Sequence, residues 1–234
     1  MDIEKLRQKN ILQTKKKIKE SVSYDQLIIN SISTIEELDK IINSLSMRLR
    51  DWILLTNPEL ESKTSDHIKL AKKILELEFK ETEMGAKLTI KDETRIKELA
   101  SSILNLEQLQ RNQEKYLREI QEQHTPNIQD LAGTMICAKL LREAKSLKKL
   151  AMLQSSTIQL LGAEKALFRH LRTKARPPKH GFIVNHEVVQ NSKDKGKSSR
   201  ALADKISICS RLDYFKGERL GQKYLEELTQ KWKK

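Results

Sequence analysis

Hydrophobic residues in the first half of the chain recur at alternating steps of three and four, which places them on one face of a helix. Two segments of roughly 30 residues show this pattern, and they predict helices over 25–55 and 92–123. Asn57-Pro58 ends the first helix, because the residue before a proline is disfavoured in the α region. The pattern therefore indicates two long helices, each with a narrow apolar stripe.

A shorter helix is expected between them, from Ser65 as N-cap to about Met84, with Gly85 at its C-terminal end. Two long helices joined through a short one pair best as an antiparallel coiled-coil arm about 45 Å long. A globular three-helix bundle is disfavoured, since the stripe is narrow and the opposite faces are densely charged. The stripe is also expected to mediate dimerisation through Ile35, Leu38, Ile42, Leu45, Leu49, Trp52, Ile96, Leu99, Ile103, Leu106, Leu117 and Ile120.

The pattern changes at Thr125-Pro126, where a new helix is expected to start with proline in its first turn. Wider apolar faces with glycine, alanine and cysteine follow, typical of a compact helical core. GFIVNHEVV is the one strand-like stretch and predicts a short hairpin or an extended loop, while NSKDKGKSSR predicts a polar loop. We therefore expect an all-α chain with at most one short β-like segment. Its predicted parts are an N-terminal segment (1–24), a coiled-coil domain (25–123), a compact domain (124–216) and a basic C-terminal helix (217–234).

Positive charge is concentrated in the last third of the chain. The chain carries 45 Lys and Arg against 32 Asp and Glu, a net charge of +13, and residues 165–219 hold fourteen of the basic and five of the acidic side chains. Such an excess favours contact with the phosphates of nucleic acid or of an anionic membrane. No apolar run approaches the ~18 residues of a membrane span, and the N-terminus lacks a signal-peptide core, so a soluble intracellular protein is expected. Cys137 and Cys209 lie in apolar helical patterns and are expected to be buried thiols.

Motifs of catalysis are missing from the sequence. The run from Lys195 to Ser198 imitates the end of a phosphate-binding loop, but Asn191 stands where that motif needs glycine, and no strand precedes it. The five histidines show no zinc spacing, and neither cysteine has a credible base beside it. We therefore expect no enzyme, no cofactor and no metal.

The basic residues suit RNA binding better. Lys165, Arg169 and Arg172 recur on one helical face, whose apolar neighbours Leu160, Leu161, Leu167, Phe168 and Leu171 can serve the core. Gly162 has two interpretations of comparable weight, backbone amides open to a phosphate or close helix packing. Few aromatic residues accompany the cations, so recognition of a structured RNA by shape and backbone is favoured over single-strand stacking. Further candidates for RNA contact are Lys174, Lys179, His180, Asn185, His186, Lys197, Arg200, Lys205 and Arg211.

The motifs GAEKALFRHL, PPKHG, KGKSSRALADK and SRLDYF, in this order, resemble the Nop domain family of box C/D ribonucleoprotein scaffolds. SMRLRDWILLTNPEL also resembles the entrance of the family's coiled coil, so the resemblance covers roughly 25–217. The chain departs from the family at Ala144-Lys145-Ser146, where relatives often have small residues and glycine, and at Gln154, where they often have proline. Because only about 25 residues precede the predicted coiled coil, the family's separate N-terminal domain, which holds fibrillarin, is not expected in this sequence.

The resemblance implies a clamp on a box C/D guide RNA that carries a kink-turn, bound together with its small ribosomal-type kink-turn-binding protein. It places Gly162, Ala163, Glu164 and Lys165 near the RNA stem, and Ala166, Leu167, Phe168 and Arg169 near the end of the guide–substrate duplex. It also implies antiparallel self-association of the coiled coil, and contact with fibrillarin only through the domain missing here.

The function expected from these observations is a non-catalytic scaffold that directs RNA 2′-O-methylation, in the interior of an archaeal cell or, in a eukaryote, in the nucleolus. A splicing-type Nop protein that binds a U4-like stem is the first alternative. A structural coiled-coil protein whose basic end has no RNA role is the second.

Overall fold

Helices make up every regular element of the computed structural model, which describes residues 3–77, 79 and 85–232. This confirms the prediction of an all-α chain. The α-helices in those ranges are α1 (Ile3–Ser21), α2 (Tyr24–Thr56), α3 (Pro58–Ser62), α4 (His67–Glu76), α5 (Ile90–His124), α6 (Pro126–Ala132), α7 (Thr134–Ala144), α8 (Leu147–Met152), α9 (Ser155–Leu160), α10 (Glu164–Thr173), α11 (Glu187–Gln190), α12 (Lys195–Phe215) and α13 (Gly221–Trp232).

The strand-like stretch GFIVNHEVV is helical, so the expected hairpin or extended loop is wrong. It forms a 3-10 turn at Phe182–Asn185 followed directly by α11. Its apolar residues Ile183, Val188 and Val189 are buried, and the side chain of His186 caps α11 between them. The predicted loop at 191–200 is also shorter than expected, because the side chain of Asp194 caps α12 and starts that helix at Lys195.

The chain divides into two compact units, 33–116 and the combination of 1–32 with 117–234. Helices α2 and α5 contribute residues to both units. We call the unit at 33–116 the arm and the other the basic unit. The domain boundaries at 24/25, 123/124 and 216/217 stay predictions.

Helices α2, α4 and α5 share the core of the arm, in which Ile42, Leu49, Leu70, Ile96 and Ile103 form one buried cluster. The predicted dimerisation stripe is therefore used inside the chain. Eight of its twelve residues are buried, three are half-buried and one is exposed. For its buried residues the assignment to a dimer contact is thus corrected: they hold the helices of a single chain together, whereas the assignment of the exposed Trp52 stays a prediction.

A buried arginine fixes the connection between α2 and α4. The Arg50 guanidinium donates to Glu61 Oε1 at 2.7 Å, to the carbonyl oxygens of Thr64 and Ser65 at 2.8 and 2.6 Å, and through Nε to His67 Nδ1 at 3.2 Å. The short helix α3, which the hydrophobic pattern did not predict, lies in the segment closed by these bonds.

Helix α4 differs from its prediction at both ends. Its N-cap is Asp66, whose carboxylate accepts a hydrogen bond from the Lys69 backbone, and not Ser65. It ends at Glu76, because Leu77 takes an extended conformation, so Gly85 does not close it. The rest of the predicted extension, at 78 and 80–84, falls outside the described residues.

Helix α12 runs through the basic unit and buries Leu202, Ile206 and Cys209. Its Asp213 carboxylate accepts hydrogen bonds from the backbone N–H groups of Asn127 and Ile128, both 3.0 Å, at the start of α6. The Asn127 side chain in turn accepts from the backbone of Gly221 at 3.0 Å, which starts α13. One buried polar chain thus joins three helices. Burial raises the pKa of the Cys137 and Cys209 thiols to about 12, consistent with the prediction of buried thiols.

Candidate nucleic-acid interface

The turn before α10 depends on Gly162. Its φ is +88°, and a Cβ at this position would lie 2.6 Å from a ring carbon of Phe182. The Gly162 N–H donates to Glu164 Oε1 at 2.7 Å. Of the two interpretations of Gly162, close packing is therefore supported. The expectation of an amide open to phosphate is corrected, because the Glu164 carboxylate occupies that donor.

Helix α10 presents its cations to solvent and buries none of its residues. Lys165, Arg169 and Arg172 lie on one exposed face, and none of them forms an ion pair with any described residue. Phe168 and Leu171 are 64% and 68% exposed, so their expected place in the core is wrong. The amphipathic pattern of α10 is real, but its apolar residues border the cations on the surface.

Hydrogen bonds connect the segment PPKHG to Gln159 and Leu161, just before α10. The Gly181 and Phe182 N–H groups donate to the carbonyl oxygens of Gln159 and Leu161, both at 2.8 Å, and the Gln159 side chain donates to the carbonyl of Lys179 at 2.6 Å. Gly181 is required here because a Cβ would lie 1.8 Å from the Leu161 oxygen. These bonds hold Lys179 and His180 in a fixed position relative to the start of α10.

Four cations line a groove of about 770 Å³, which we call the basic groove: Lys179, Lys197, Arg200 and Lys231. Its acidic members are Asp194 and Asp204, and its apolar ones include Leu160, Pro178 and Trp232. Asp194 is already engaged, since it accepts from the backbone N–H groups of Gly196 and Lys197, both 3.1 Å. The backbone bond from Lys197, together with the charge of that lysine, lowers the pKa of the Asp194 carboxyl. Lys197 Nζ lies 3.5 Å from Asp194 Oδ2. Among the described residues, the groove thus has three cations without an ion pair (Lys179, Arg200 and Lys231) against one such carboxylate, Asp204.

His186 is the clearest correction among the predicted RNA contacts. It is buried, its Nε2 lies 2.9 Å from the Leu131 carbonyl, and its Nδ1 accepts from the Val188 N–H at 3.2 Å. Both ring nitrogens are thus satisfied within the fold, as a neutral imidazole with its proton on Nε2. Burial lowers the pKa of this histidine. Its role is structural.

The remaining predicted RNA contacts differ in whether their side chains are exposed and already bound to other residues. Lys205 is paired with Glu227 at 2.8 Å and stacked 3.9 Å from the Tyr224 ring centre, so it is committed to α13. Arg211 is exposed, and its Nε donates to the Ala151 carbonyl at 3.2 Å. Lys174 and Asn185 are exposed, and His180 is half-buried.

Lys231 and Trp232 were missed among the candidate contacts, although they line the basic groove. The Lys-Trp-Lys-Lys ending was a signal for them, but the position of α13 depends on the Asn127 contact, which is remote in sequence. Among the described residues no helix is long and apolar enough to cross a membrane, and no three His, Cys, Asp or Glu residues cluster as metal ligands.

Comparisons with known proteins found a family model, related sequences and a similar fold. The family model described as Nop, snoRNA binding domain, fibrillarin, matches residues 34–234. The chain is 37% identical over 245 residues to an uncharacterized NOP5 family protein of Methanocaldococcus jannaschii, with 93% of this chain and 59% of that protein aligned. It is 34% identical over 242 residues to nucleolar protein 56 of Mus musculus, with 88% of this chain and 42% of that protein aligned. The chain thus spans less than two thirds of the length of these relatives.

A solved structure shares the fold. The crystal structure of a fibrillarin/Nop5p complex contains a chain with a TM-score of 0.59 and 24% identity to this one, over 98% of this chain and 77% of that chain. At this identity the likeness supports the fold alone.

Proposed function

Because this chain belongs to the Nop family, we propose that it is a non-catalytic RNA-binding scaffold of a box C/D guide ribonucleoprotein that directs 2′-O-methylation. The observation that carries the proposal is the exposed cation row of α10, which follows the Gly162 turn a few residues after Gln159 and Leu160 of the basic groove. The mammalian relative is a nucleolar protein and the archaeal one a NOP5 family protein. A place in the archaeal cell interior, or in a nucleolus, is part of this proposal.

In this proposal the chain recognises the RNA through its phosphate backbone and its shape. Lys165, Arg169 and Arg172 have no acidic partner among the described residues, so their charges are available to phosphates. Cations that neutralise phosphates release counterions, which makes the affinity fall steeply with salt. The basic groove adds Lys179, Lys197 and Arg200 to this surface.

The RNA carries a kink-turn and is bound together with the small protein that recognises that kink-turn. The intact GAEKALFR run supports this part of the proposal. Phe168 and Leu171 support it as well, because phosphate contact alone gives no reason to expose two large apolar side chains beside the cations. Contact with fibrillarin is assigned to parts of the relatives that the aligned span does not include.

Self-association uses exposed residues of α2, among them Trp52, the one exposed member of the predicted stripe. Met47, Trp52, Leu54 and Leu55 on α2 are 56%, 41%, 47% and 60% exposed. Large apolar residues that cluster on the surface of one helix are typical of an interface between proteins. We assign the dimer contact of the arm to these side chains.

Gel-shift titrations with a kink-turn RNA, with and without its small binding protein, test the RNA part of the proposal. Replacing Lys165 and Arg169 by alanine is expected to weaken binding about tenfold and to reduce the slope of log K against log salt by about 2, since two phosphate contacts are lost. The matched control replaces Lys40 and Lys72, two exposed cations of the arm, and should leave the slope unchanged.

Each alternative predicts a different result in the same titrations. Binding that prefers a U4-like stem over a box C/D kink-turn would favour the splicing-type Nop protein. Failure to bind either RNA in the presence of the small protein would leave only the structural coiled-coil role. Binding with an unchanged salt slope in the double-alanine variant would mean that α10 faces away from the RNA.

A further inference from the structure

We propose that Trp232 is an RNA-binding residue, which stacks on an unpaired nucleotide at the edge of the RNA stem held by the basic groove. This inference rests on the proposed RNA-binding function and adds to it a requirement for an unpaired base. It concerns a residue of α13, the helix that follows the predicted compact domain.

The first observation is the position of Trp232. Its side chain lines the basic groove together with Lys179, Lys197 and Arg200, and its neighbour Lys231 lines the same groove. No other aromatic residue lines this groove among the described residues. An aromatic ring between cations matches the chemistry of a nucleotide, because the cations suit the phosphates and the ring suits the base.

The second observation is that no described residue accepts a hydrogen bond from the indole N–H. Trp232 Nε1 is buried and donates to no acceptor within residues 3–77, 79 and 85–232. A buried donor without a partner is uncommon in a folded protein, because leaving it unpaired has a free-energy cost. The ring can therefore reorient toward a ligand without losing a protein hydrogen bond, and a ligand that supplies an acceptor relieves the cost.

The third observation is what lies on the other side of the ring. Trp232 also lines a cavity of about 590 Å³, whose apolar residues include Leu131, Ile136 and Leu225. The indole thus forms a wall shared by a polar, cationic groove and a mainly apolar cavity. Because the cavity lies next to the indole, the side chain has room to shift when a base stacks on the ring from the groove.

An unpaired nucleotide is the occupant that these observations favour. In a double helix the faces of the bases are covered by their neighbours, so a duplex offers the groove phosphates and 2′-hydroxyl groups but no free base face. Single-stranded nucleotides present that face and stack on aromatic side chains with little sequence preference. A partner protein is less suited, because the cation-rich lining would require an acidic side chain at each contact.

The experiment uses two RNAs that share one kink-turn stem, one with a blunt end and one with three unpaired nucleotides at that end. The chain contains two tryptophans, so the fluorescence change that is lost in W232F belongs to Trp232. In the wild type we expect the RNA with unpaired nucleotides to quench this part of the fluorescence and the blunt RNA to leave it unchanged. Quenching of equal size by both RNAs, or quenching that W232F retains, would overturn the assignment.

Affinities give an independent measurement. W232A is expected to bind the RNA with unpaired nucleotides about tenfold more weakly, and the blunt RNA less than twofold more weakly, whereas W232F keeps a ring and should stay within about threefold of the wild type. F215A, which removes an exposed aromatic residue of the same unit, is the matched control and should bind both RNAs normally. Equal affinity of W232A and wild type for the RNA with unpaired nucleotides would refute the inference while leaving the RNA-binding function standing. Failure of the wild type to bind either RNA would refute both.

Discussion

Replacing Gly162 by alanine tests the turn on which the candidate interface depends. Two costs are expected. An L-residue at a φ of +88° costs about 1–2 kcal/mol of folding free energy. The new methyl group would lie 2.6–2.7 Å from three carbons of the Phe182 ring, and overpacking of this kind costs about 1–3 kcal/mol. Together G162A should destabilise the basic unit by about 2–5 kcal/mol.

A double-mutant cycle separates the two costs. F182L removes the ring that the methyl group would meet, so G162A should be less damaging in the F182L background, by about 1–2 kcal/mol. The positive-φ cost should stay in both backgrounds. Urea unfolding followed by circular dichroism measures all four proteins, and the slope of each transition checks that the unfolded states are comparable.

The result that would refute the reasoning is additivity. If the two substitutions add within about 0.5 kcal/mol, the Phe182 ring does not limit position 162, and the packing account of this glycine is wrong. If G162A is as stable as the wild type, both the backbone and the packing accounts fail. RNA affinity provides a second measurement, because a displaced turn also displaces Lys165, and G162A should then bind RNA more weakly at a temperature where it is fully folded.

Two further predictions concern a buried histidine and the arm. Because burial lowers the pKa of His186 below its ordinary 6.5, the unfolded chain takes up a proton first as the pH falls. The contribution of His186 to stability is therefore complete above pH 6.5 and lost below it, so the melting temperature of the wild type should fall more between pH 7 and 5 than that of H186Q, and parallel curves would contradict this. In the arm, the pair W52E and L55E should convert a dimer into a folded monomer in light-scattering measurements, whereas I103E should unfold the arm because Ile103 is fully buried. A dimer that survives W52E and L55E would mean that this face of α2 is not the contact.

Periodicity alone was sufficient to predict α2 and α5, because each carries an apolar repeat long enough to define one face. Periodicity did not identify which helices, of the same chain or of a second copy, pack against that face. The stripe from Ile35 to Ile120 was assigned to a second copy, but α2, α4 and α5 cover it within one chain. Conversely, Phe168 and Leu171 were assigned to a core that does not reach them. Both errors concern tertiary contacts, which local spacing does not encode.

Short-range capping decided the other differences. Ser65 and Asp66 are both good N-caps, and the choice of Asp66 depends on the Arg50 bonds that fix the carbonyls of Thr64 and Ser65. In GFIVNHEVV the β-branched residues suggested a strand, but His186 caps α11 and no neighbouring strand exists in the described ranges to pair with. The cation row of α10 was predictable because exposed lysine and arginine need no remote partner.

Because the arm's apolar stripe is closed within one chain, folding of the arm and the proposed pairing of two arms are separate reactions. The dissociated monomer then unfolds in a first-order reaction, so its midpoint should not change with concentration below the dissociation constant of the dimer, and dilution should release folded monomers. Subunit exchange needs no unfolding under these conditions. In the proposed dimer, two related chains with compatible exposed faces on α2 exchange subunits after synthesis. The rate of exchange is set by dissociation of the α2 contact. Whether like or unlike chains pair is then decided by which copies are present, and not by the order in which they fold.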